Sequence, residues 1–381
     1  MPDDSSPLLV VAGEASGDLH GARLISELRR LAPSLATFGL GGDEMQAAGL
    51  DAVAHSAEIS VVGIVEVWKV LPRARQIFAA LLAETERRRP RGAVLIDFPE
   101  FNLRLARELK ARGVPVVYYI SPQVWAWRRG RVKTIARIVD RMLVLFPFEV
   151  GFYDQAGVDV VHVGHPLVDE VPQLQNVWAR EPVSSGPYRL ALLPGSRRSE
   201  VEALLPTMLA TVARLARELP IEVQLIQAPT IPYETLAEAI ELSGLPVAIV
   251  SEDRFAAIAD SHLALCASGT ATLEVGLLGT PMIVLYRLAA WTYLLGRLLV
   301  RLPDISLVNL VLGRRVVPEL IQGAATPPKI AAEVVRLLSD RAALARMRQG
   351  LAELRGRLGQ GGATARAARE VAGFLRLGVA A

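Results

Sequence analysis

Short runs of branched apolar residues alternate along the chain with longer stretches whose apolar positions recur every three or four residues. The runs at 8–12, 93–97, 115–120 and 141–146 are rich in Val, Ile and Leu, and each gives way to an amphipathic or polar segment. A second series runs at 189–194, 221–226, 246–251, 263–267 and 282–286. Such alternation predicts strand–helix–strand units, which build a parallel sheet with helices on its faces. Between the series, 166–188 carries Pro166, Pro172, Pro182 and Pro187 and a Ser-Ser-Gly, the composition of a linker. The pattern therefore predicts an α/β protein with doubly wound domains at 1–165 and 189–345, joined by 166–188. A chain of 381 residues also exceeds the ~250–300 residues at which single cores stop growing.

The tail reads as helical. Ile330, Val334, Leu337 and Leu338 share one face, and Leu344, Met347, Leu351, Leu354 and Leu358 follow at alternating spacings of three and four. Gly359–Gly362 interrupts the pattern before a last helix from Ala363 to Leu375. The helices of 346–381 are expected to pack back on the first domain or to pair in a homodimer.

Leu8–Val11 ends in Gly13, Gly17 and Gly21 follow at four-residue spacing, and a helical segment begins at once. A parallel strand turning over a glycine loop into a helix usually places a ligand at the turn. Here the turn carries Glu14 and Asp18, which would repel a phosphate and suit a ligand rich in hydroxyls. The spacing also departs from the G-x-G-x-x-G and G-x-x-x-x-G-K-[ST] fingerprints.

The second series opens on PGSRRSEV, 194–201. Gly195 and Ser196 make a tight turn, and Arg197 and Arg198 stand where a helix would begin. Helix N-terminal amides with a guanidinium make an anion site suited to a diphosphate. The alternative is a capped helix start with Ser199 as N-cap. After the strand ending at Ala267, Ser268, Gly269 and Thr270 offer amides and hydroxyls. Glu274, one turn into the next helix, can accept ribose hydroxyls. In the first domain, Asp97 ends an apolar strand, where a carboxylate points into the ligand crevice of a parallel sheet. It either deprotonates an acceptor hydroxyl or caps the turn before Pro99.

Composition narrows the classes. The chain is 51% hydrophobic and 21% charged with a net charge of +3, and no block of five or six like charges suggests nucleic acid. The single cysteine, Cys266, excludes an intramolecular disulfide and a cysteine zinc cluster, and its apolar neighbours make it a small core residue. His162 and His165 are too few for a zinc site and read as structural. There is no D-x-D motif, so neither a bridging metal nor another cofactor is expected. The acidic N-terminus MPDDSSP is unlike a signal peptide, and the apolar stretch 288–302 is broken by Arg297 and Arg301. A cytoplasmic protein is expected. Val61, Ile64, Val65 and Trp68 fall on one helical face near Lys69, Arg73 and Arg75. Segment 61–78 is thus either a helix lying on an anionic bilayer or a core helix with a solvated edge. Trp291, Tyr293, Leu294 and Leu295, beside Arg297 and Arg301, make a similar patch.

Together, GEASGD (13–18), VGIVEV (62–67), IDFPEFN (96–102), SPQVWAWR (121–128), FPFE (146–149), VGHP (163–166), PGSRRSEV (194–201), ASGTATLE (267–274) and SLVNL (306–310) resemble the lipid-A-disaccharide synthase family. The family pattern has Pro where this chain has Val308. The resemblance implies a GT-B architecture, two Rossmann-like domains facing a cleft, with C-terminal helices crossing back. It implies an inverting, metal-independent transfer from UDP-2,3-diacylglucosamine to 2,3-diacylglucosamine 1-phosphate, giving a β-1′,6-linked disaccharide phosphate and UDP. It casts Asp97 as base on the acceptor 6-hydroxyl and Glu14, Ser16 and Asp18 as the sugar-side wall. Arg197, Ser268, Gly269, Thr270, Glu274 and Asn309 would hold UDP. It also implies peripheral contact with the inner face of the cytoplasmic membrane through 61–78. Rival readings are another UDP-sugar enzyme, such as an epimerase or a peptidoglycan glycosyltransferase, and a binding protein without turnover.

Overall fold

The computed structural model describes residues 6–59, 67–125, 129–173, 187–287 and 304–377. The chain divides into two compact units, one of Met1–Pro166 with Gly361–Ala381 and one of Leu167–Gln360. Residues 61–66 of the expected membrane-facing segment, residues 174–186 of the linker and the patch at 291–301 lie outside the described residues, as do the side chains of 67–69.

The first unit is built on seven strands. These are β1 (Leu8–Ala12), β2 (Thr37–Gly41), β3 (Leu50–His55), β4 (Gly92–Ile96), β5 (Val116–Tyr119), β6 (Arg141–Val144) and β7 (Val160–His162). They pair in the order β3-β2-β1-β4-β5-β6-β7, all parallel. β1, β4 and β5 are buried along their whole length, as expected of strands covered on both faces. The added strands β2, β3 and β7 escape the apolar pattern because they are glycine-bearing (TFGLG), polar (LDAVAH) or only three residues long. In the helix Val67–Arg88, Ile77 and Leu81 are buried in the core and Arg73 pairs with Glu58 at 2.6 Å.

The second unit repeats the scheme with β8 (Tyr188–Leu193), β9 (Ile221–Ile226), β10 (Val247–Val250), β11 (Leu263–Ala267), β12 (Met282–Tyr286) and β13 (Glu319–Ile321), paired in the order β10-β9-β8-β11-β12-β13. Cys266, on β11, is fully buried, so burial pushes its thiol far above the usual range.

The tail divides between the units. The helix Arg341–Leu358 buries Leu344, Met347, Leu351, Leu354 and Leu358 against the helices Thr270–Leu277 and Leu307–Leu312, so 346–358 belongs to the second unit. That corrects the grouping of these residues with the last helix. Only Ala363–Phe374 returns to the first unit, where it packs on the helix Ala15–Leu31. Its buried face is Ala363, Ala367, Ala368, Val371 and Ala372, small side chains that let two helices approach closely. Polar ties add to this packing: Arg91 donates to the carbonyl of Arg376 at 2.9 Å, and Arg141 pairs with Glu370 at 2.6 Å. Among the described residues no helix is long and apolar enough to cross a membrane.

Candidate active site

Each sheet reverses its winding direction once. In the first unit the reversal falls between β1 and β4, where Ala12 is in register with Ile96. The loops that follow these two residues therefore emerge side by side, at the position where doubly wound sheets bind ligands. One carries Gly13 and Glu14, the other Asp97 and Phe98. Their approach is so close that a Cβ on Gly13 would stand 2.2 Å from the Phe98 ring, which explains the glycine.

Asp97 is half-buried. Desolvation, reinforced by the negative charge of Glu14, pushes its carboxyl up to about 6, against the pull of the Phe98 amide. The sequence named Glu14 and Asp97 separately, and the sheet brings them together. Glu14 and Ser16 are exposed at the start of the helix Ala15–Leu31.

Asp18 differs from expectation. It is 6% exposed, and its oxygens accept the backbone amides of Gly42 at 2.6 Å, Glu44 at 3.1 Å and Met45 at 3.2 Å. The carboxylate caps the short helix Asp43–Ala47 from 24 to 27 residues away. Three amides use most of its accepting capacity, so it is a structural group and not part of a sugar-facing wall.

A second carboxylate in this unit carried no role in the sequence. Glu149 is buried and accepts hydrogen bonds from the Ser121 hydroxyl, from Trp125 Nε1 at 3.0 Å and from the amide of Phe146 at 3.0 Å. Burial pushes its carboxyl up to about 7 despite these donors. It ties the loop after β5 to the loop after β6, and Tyr153 adds a bond from its hydroxyl to the carbonyl of Pro122 at 3.1 Å. The partners are too far apart in sequence for spacing to reveal them. Nearby, His162 Nε2 lies 3.1 Å from the carbonyl of Leu145, and His165 packs on the Phe146 ring. Burial, with His20 and His162 adding to it, holds His165 down at about 3, which keeps it neutral.

In the second unit the winding reverses between β8 and β11, with Leu193 in register with Cys266. The PGSR and SGT loops thus emerge as neighbours. Gly195 has φ +124, a conformation side chains rarely adopt, and a Cβ there would also meet Glu200. The anion site expected at this turn is filled by the chain itself. Glu200 accepts the amides of Ser196 at 3.0 Å and Arg197 at 3.3 Å, and pairs with the Arg197 guanidinium at 3.0 Å. Arg198 pairs with Glu202 at 2.8 Å. The two arginines at a helix N-terminus are therefore balanced by their own helix, so their placement alone does not require a bound anion. Ser199 makes no cap, since the N-cap position is Arg197.

On the neighbouring loop, Ser268 spends its amide on the carbonyl of Leu285 at 3.0 Å and its hydroxyl on that of Ile305 at 3.2 Å. Neither donor remains for a phosphate. Gly269 and Thr270 begin the helix Thr270–Leu277, with Thr270 exposed. Glu274 is gripped by Arg254 in a two-pronged pair at 3.2 and 3.3 Å, a partner the sequence did not suggest. Burial raises the Glu274 carboxyl above the usual range, and Arg254 opposes the rise.

Asn309 also departs from expectation. It is 1% exposed and fully bonded: Nδ2 donates to Val317 O at 2.9 Å and Glu319 Oε1 at 2.8 Å, and Oδ1 accepts the amides of Val316 at 2.8 Å and Val317 at 3.1 Å. Glu319 in turn accepts the amides of Ile305 and Ser306, both at 2.9 Å. The Asn309 side chain therefore holds 316–319 and, through Glu319, the amides of Ile305 and Ser306, and its Nδ2 has no hydrogen left for a ligand.

Comparisons with known proteins agree over nearly the whole chain. A family model described as "Lipid-A-disaccharide synthetase" matches residues 8–370. A lipid-A-disaccharide synthase of Myxococcus xanthus (strain DK1622) is 48% identical over 368 residues, covering 96% of each chain. One of Anaeromyxobacter dehalogenans (strain 2CP-1 / ATCC BAA-258) is 45% identical over 380 residues, covering 98% of this chain and 99% of the relative. Among solved structures, S. aureus MnaA with UDP aligns with TM-score 0.63 at 11% identity, covering 98% of this chain and 97% of that one. Acinetobacter baumannii MurG aligns with TM-score 0.60 at 12% identity, covering 97% and 98%. These neighbours share the fold, the two-domain α/β architecture of GT-B glycosyltransferases.

Proposed function

The chain belongs to the lipid-A-disaccharide synthase family, glycosyltransferases of lipid A disaccharide synthesis, and from that premise we propose its substrates and mechanism. It transfers 2,3-diacylglucosamine from UDP to the 6-hydroxyl of 2,3-diacylglucosamine 1-phosphate. Asp97 takes the hydroxyl proton as the oxygen bonds to the anomeric carbon. The bond to the diphosphate breaks on the opposite face, its electron pair leaves with UDP, and the configuration inverts. The observation that carries this reading is Asp97 itself, at the winding reversal, with a carboxyl pushed up to about 6. A base with a pKa near working pH combines the right protonation state with a useful driving force.

In this reading Glu14 and Ser16 contact sugar hydroxyls. Arg197 and the amides of Gly269 and Thr270 receive the diphosphate, and Glu274 receives the ribose. Arg197 must first exchange Glu200 for phosphate. Its side chain is 79% exposed, and such a surface pair is worth only ~0–1 kcal/mol, so charge-assisted bonds to phosphate outweigh it. The chemistry assigned to these groups needs no metal.

With both acylated substrates, detergent and EDTA, purified protein is expected to yield disaccharide 1-phosphate and UDP by mass spectrometry. No product, or product only after metal is added, would overturn the corresponding part of the reading. Segment 61–78 is proposed to hold the enzyme peripherally on the inner face of the cytoplasmic membrane. Val67→Ser with Trp68→Ser should then reduce co-sedimentation with anionic vesicles, and unchanged sedimentation would remove that segment from the role.

A further inference from the structure

We propose that Tyr118 and Asn102 are positioning residues for the transfer, clamping the backbone carbonyl of Asp97 so that its carboxyl stays aimed at the acceptor. The proposal rests on Asp97 as the base. Two buried polar side chains from different elements converge on one oxygen. Tyr118, on β5, donates its hydroxyl to Asp97 O at 2.6 Å. Asn102, in the first turns of the helix Pro99–Ala111, donates from Nδ2 to Asp97 O at 2.8 Å and to Ile96 O at 3.1 Å.

The backbone they hold is one that side chains avoid. Asp97 has φ 46 and Phe98 has φ 48, two successive non-glycine residues in the left-handed region. Such a residue is strained and persists only where its surroundings over-determine it. The amide of Asp97 contributes a third restraint, donating to Tyr119 O at 3.0 Å. Without the clamp, the Asp97–Phe98 segment relaxes toward ordinary backbone angles and carries the carboxyl with it. A shift of about 1 Å in a reacting group can cost ~100-fold in rate.

The clamp has its own cost. Asn102 is fully buried, and its Oδ1 has no hydrogen-bond partner among the described residues. A buried acceptor left unpaired destabilises the fold, a loss a leucine here would avoid. Tyr118 is also fully buried, where phenylalanine would fill the space without a hydroxyl to satisfy. Both residues bring donors into the core, and those donors meet at Asp97.

Tyr118→Phe removes one hydroxyl and keeps the ring. Its expected signature is a kcat reduced at least tenfold, with KM for both substrates and the affinity for UDP within twofold of wild type. The acid limb of kcat/KM should also move toward the ordinary carboxylate range, as the released carboxyl gains water. A residue that merely stabilised the fold would change the unfolding temperature and leave kcat and the acid limb in place. Where Tyr118→Phe does not remain folded at the assay temperature, Asn102→Ser is read by the same criteria. Wild-type kcat and acid limb in the folded variant overturn the proposal, provided Asp97→Asn, assayed beside it, is inactive. An active Asp97→Asn instead overturns the base assignment, and the positioning role falls with it.

Discussion

Asp97→Asn is expected to cut turnover by orders of magnitude and to make the protein more stable at neutral pH. The asparagine keeps the side-chain shape and cannot accept the acceptor proton, so kcat should fall about 100- to 10,000-fold, the usual worth of a positioned base. UDP affinity should change little, because the groups proposed to hold UDP belong to the other unit. The stability gain comes from removing a charge that burial and Glu14 oppose. The carboxyl is pushed from 3.8 up to about 6, so the folded protein binds this proton more tightly than the unfolded chain does. The resulting stabilisation is complete below about pH 4 and is lost as pH rises through about 6. At pH 7 the ionised group is therefore a burden, and its removal should add up to about 3 kcal/mol. Activity has the opposite slope: wild-type kcat/KM should rise with pH through about 6 as Asp97 loses its proton. Retained turnover in the variant, or an acid limb near the ordinary carboxylate value, would rule out Asp97 as the base.

Asp18→Ala should be a stability defect and not a substrate-binding defect. The substitution leaves the amides of Gly42, Glu44 and Met45 without their acceptor. Losing a carboxylate cap from a buried position costs roughly 2–4 kcal/mol, or a fall of about 5–10 °C in the unfolding temperature of a unit this size. Asp18→Asn retains one oxygen and should lose about half as much. Below those temperatures, KM for both sugar substrates should stay within twofold of wild type. A large rise in KM with an unchanged unfolding temperature would return Asp18 to the sugar-binding wall.

The two carboxylates of the opening turn show how far the sequence could be read. Glu14 and Asp18 occur in one short motif, GEASGD, and equal roles for both were a natural expectation. One lies exposed beside Asp97 and the other is turned inward to cap a helix. The PGSR turn shows the same limit. Its arginines look like an anion site in sequence, yet Glu200 and Glu202, three and four residues on, satisfy them. Asn309 lies in a motif that suggested ligand contact, and the hydrogen bonds of its side-chain amide are spent on 316–319.

By itself the sequence determined the doubly wound class, most of the central strands, the loops that carry the chemistry and the family. Those properties rest on local patterns: apolar runs long enough for a covered strand, glycine turns after them, and contiguous motifs in a fixed order. Tertiary structure decided which polar groups remain available. It turned Asp18, Asn309 and Ser268 to structural work, paired Glu274 with Arg254, and placed Glu149 among Ser121, Trp125 and Phe146. It also assigned the last two helices to different units. The reason is physical: a carboxylate or amide binds whatever donor the fold brings within about 3 Å. For Asp18 those donors lie 24 to 27 residues along the chain, beyond the reach of any local pattern.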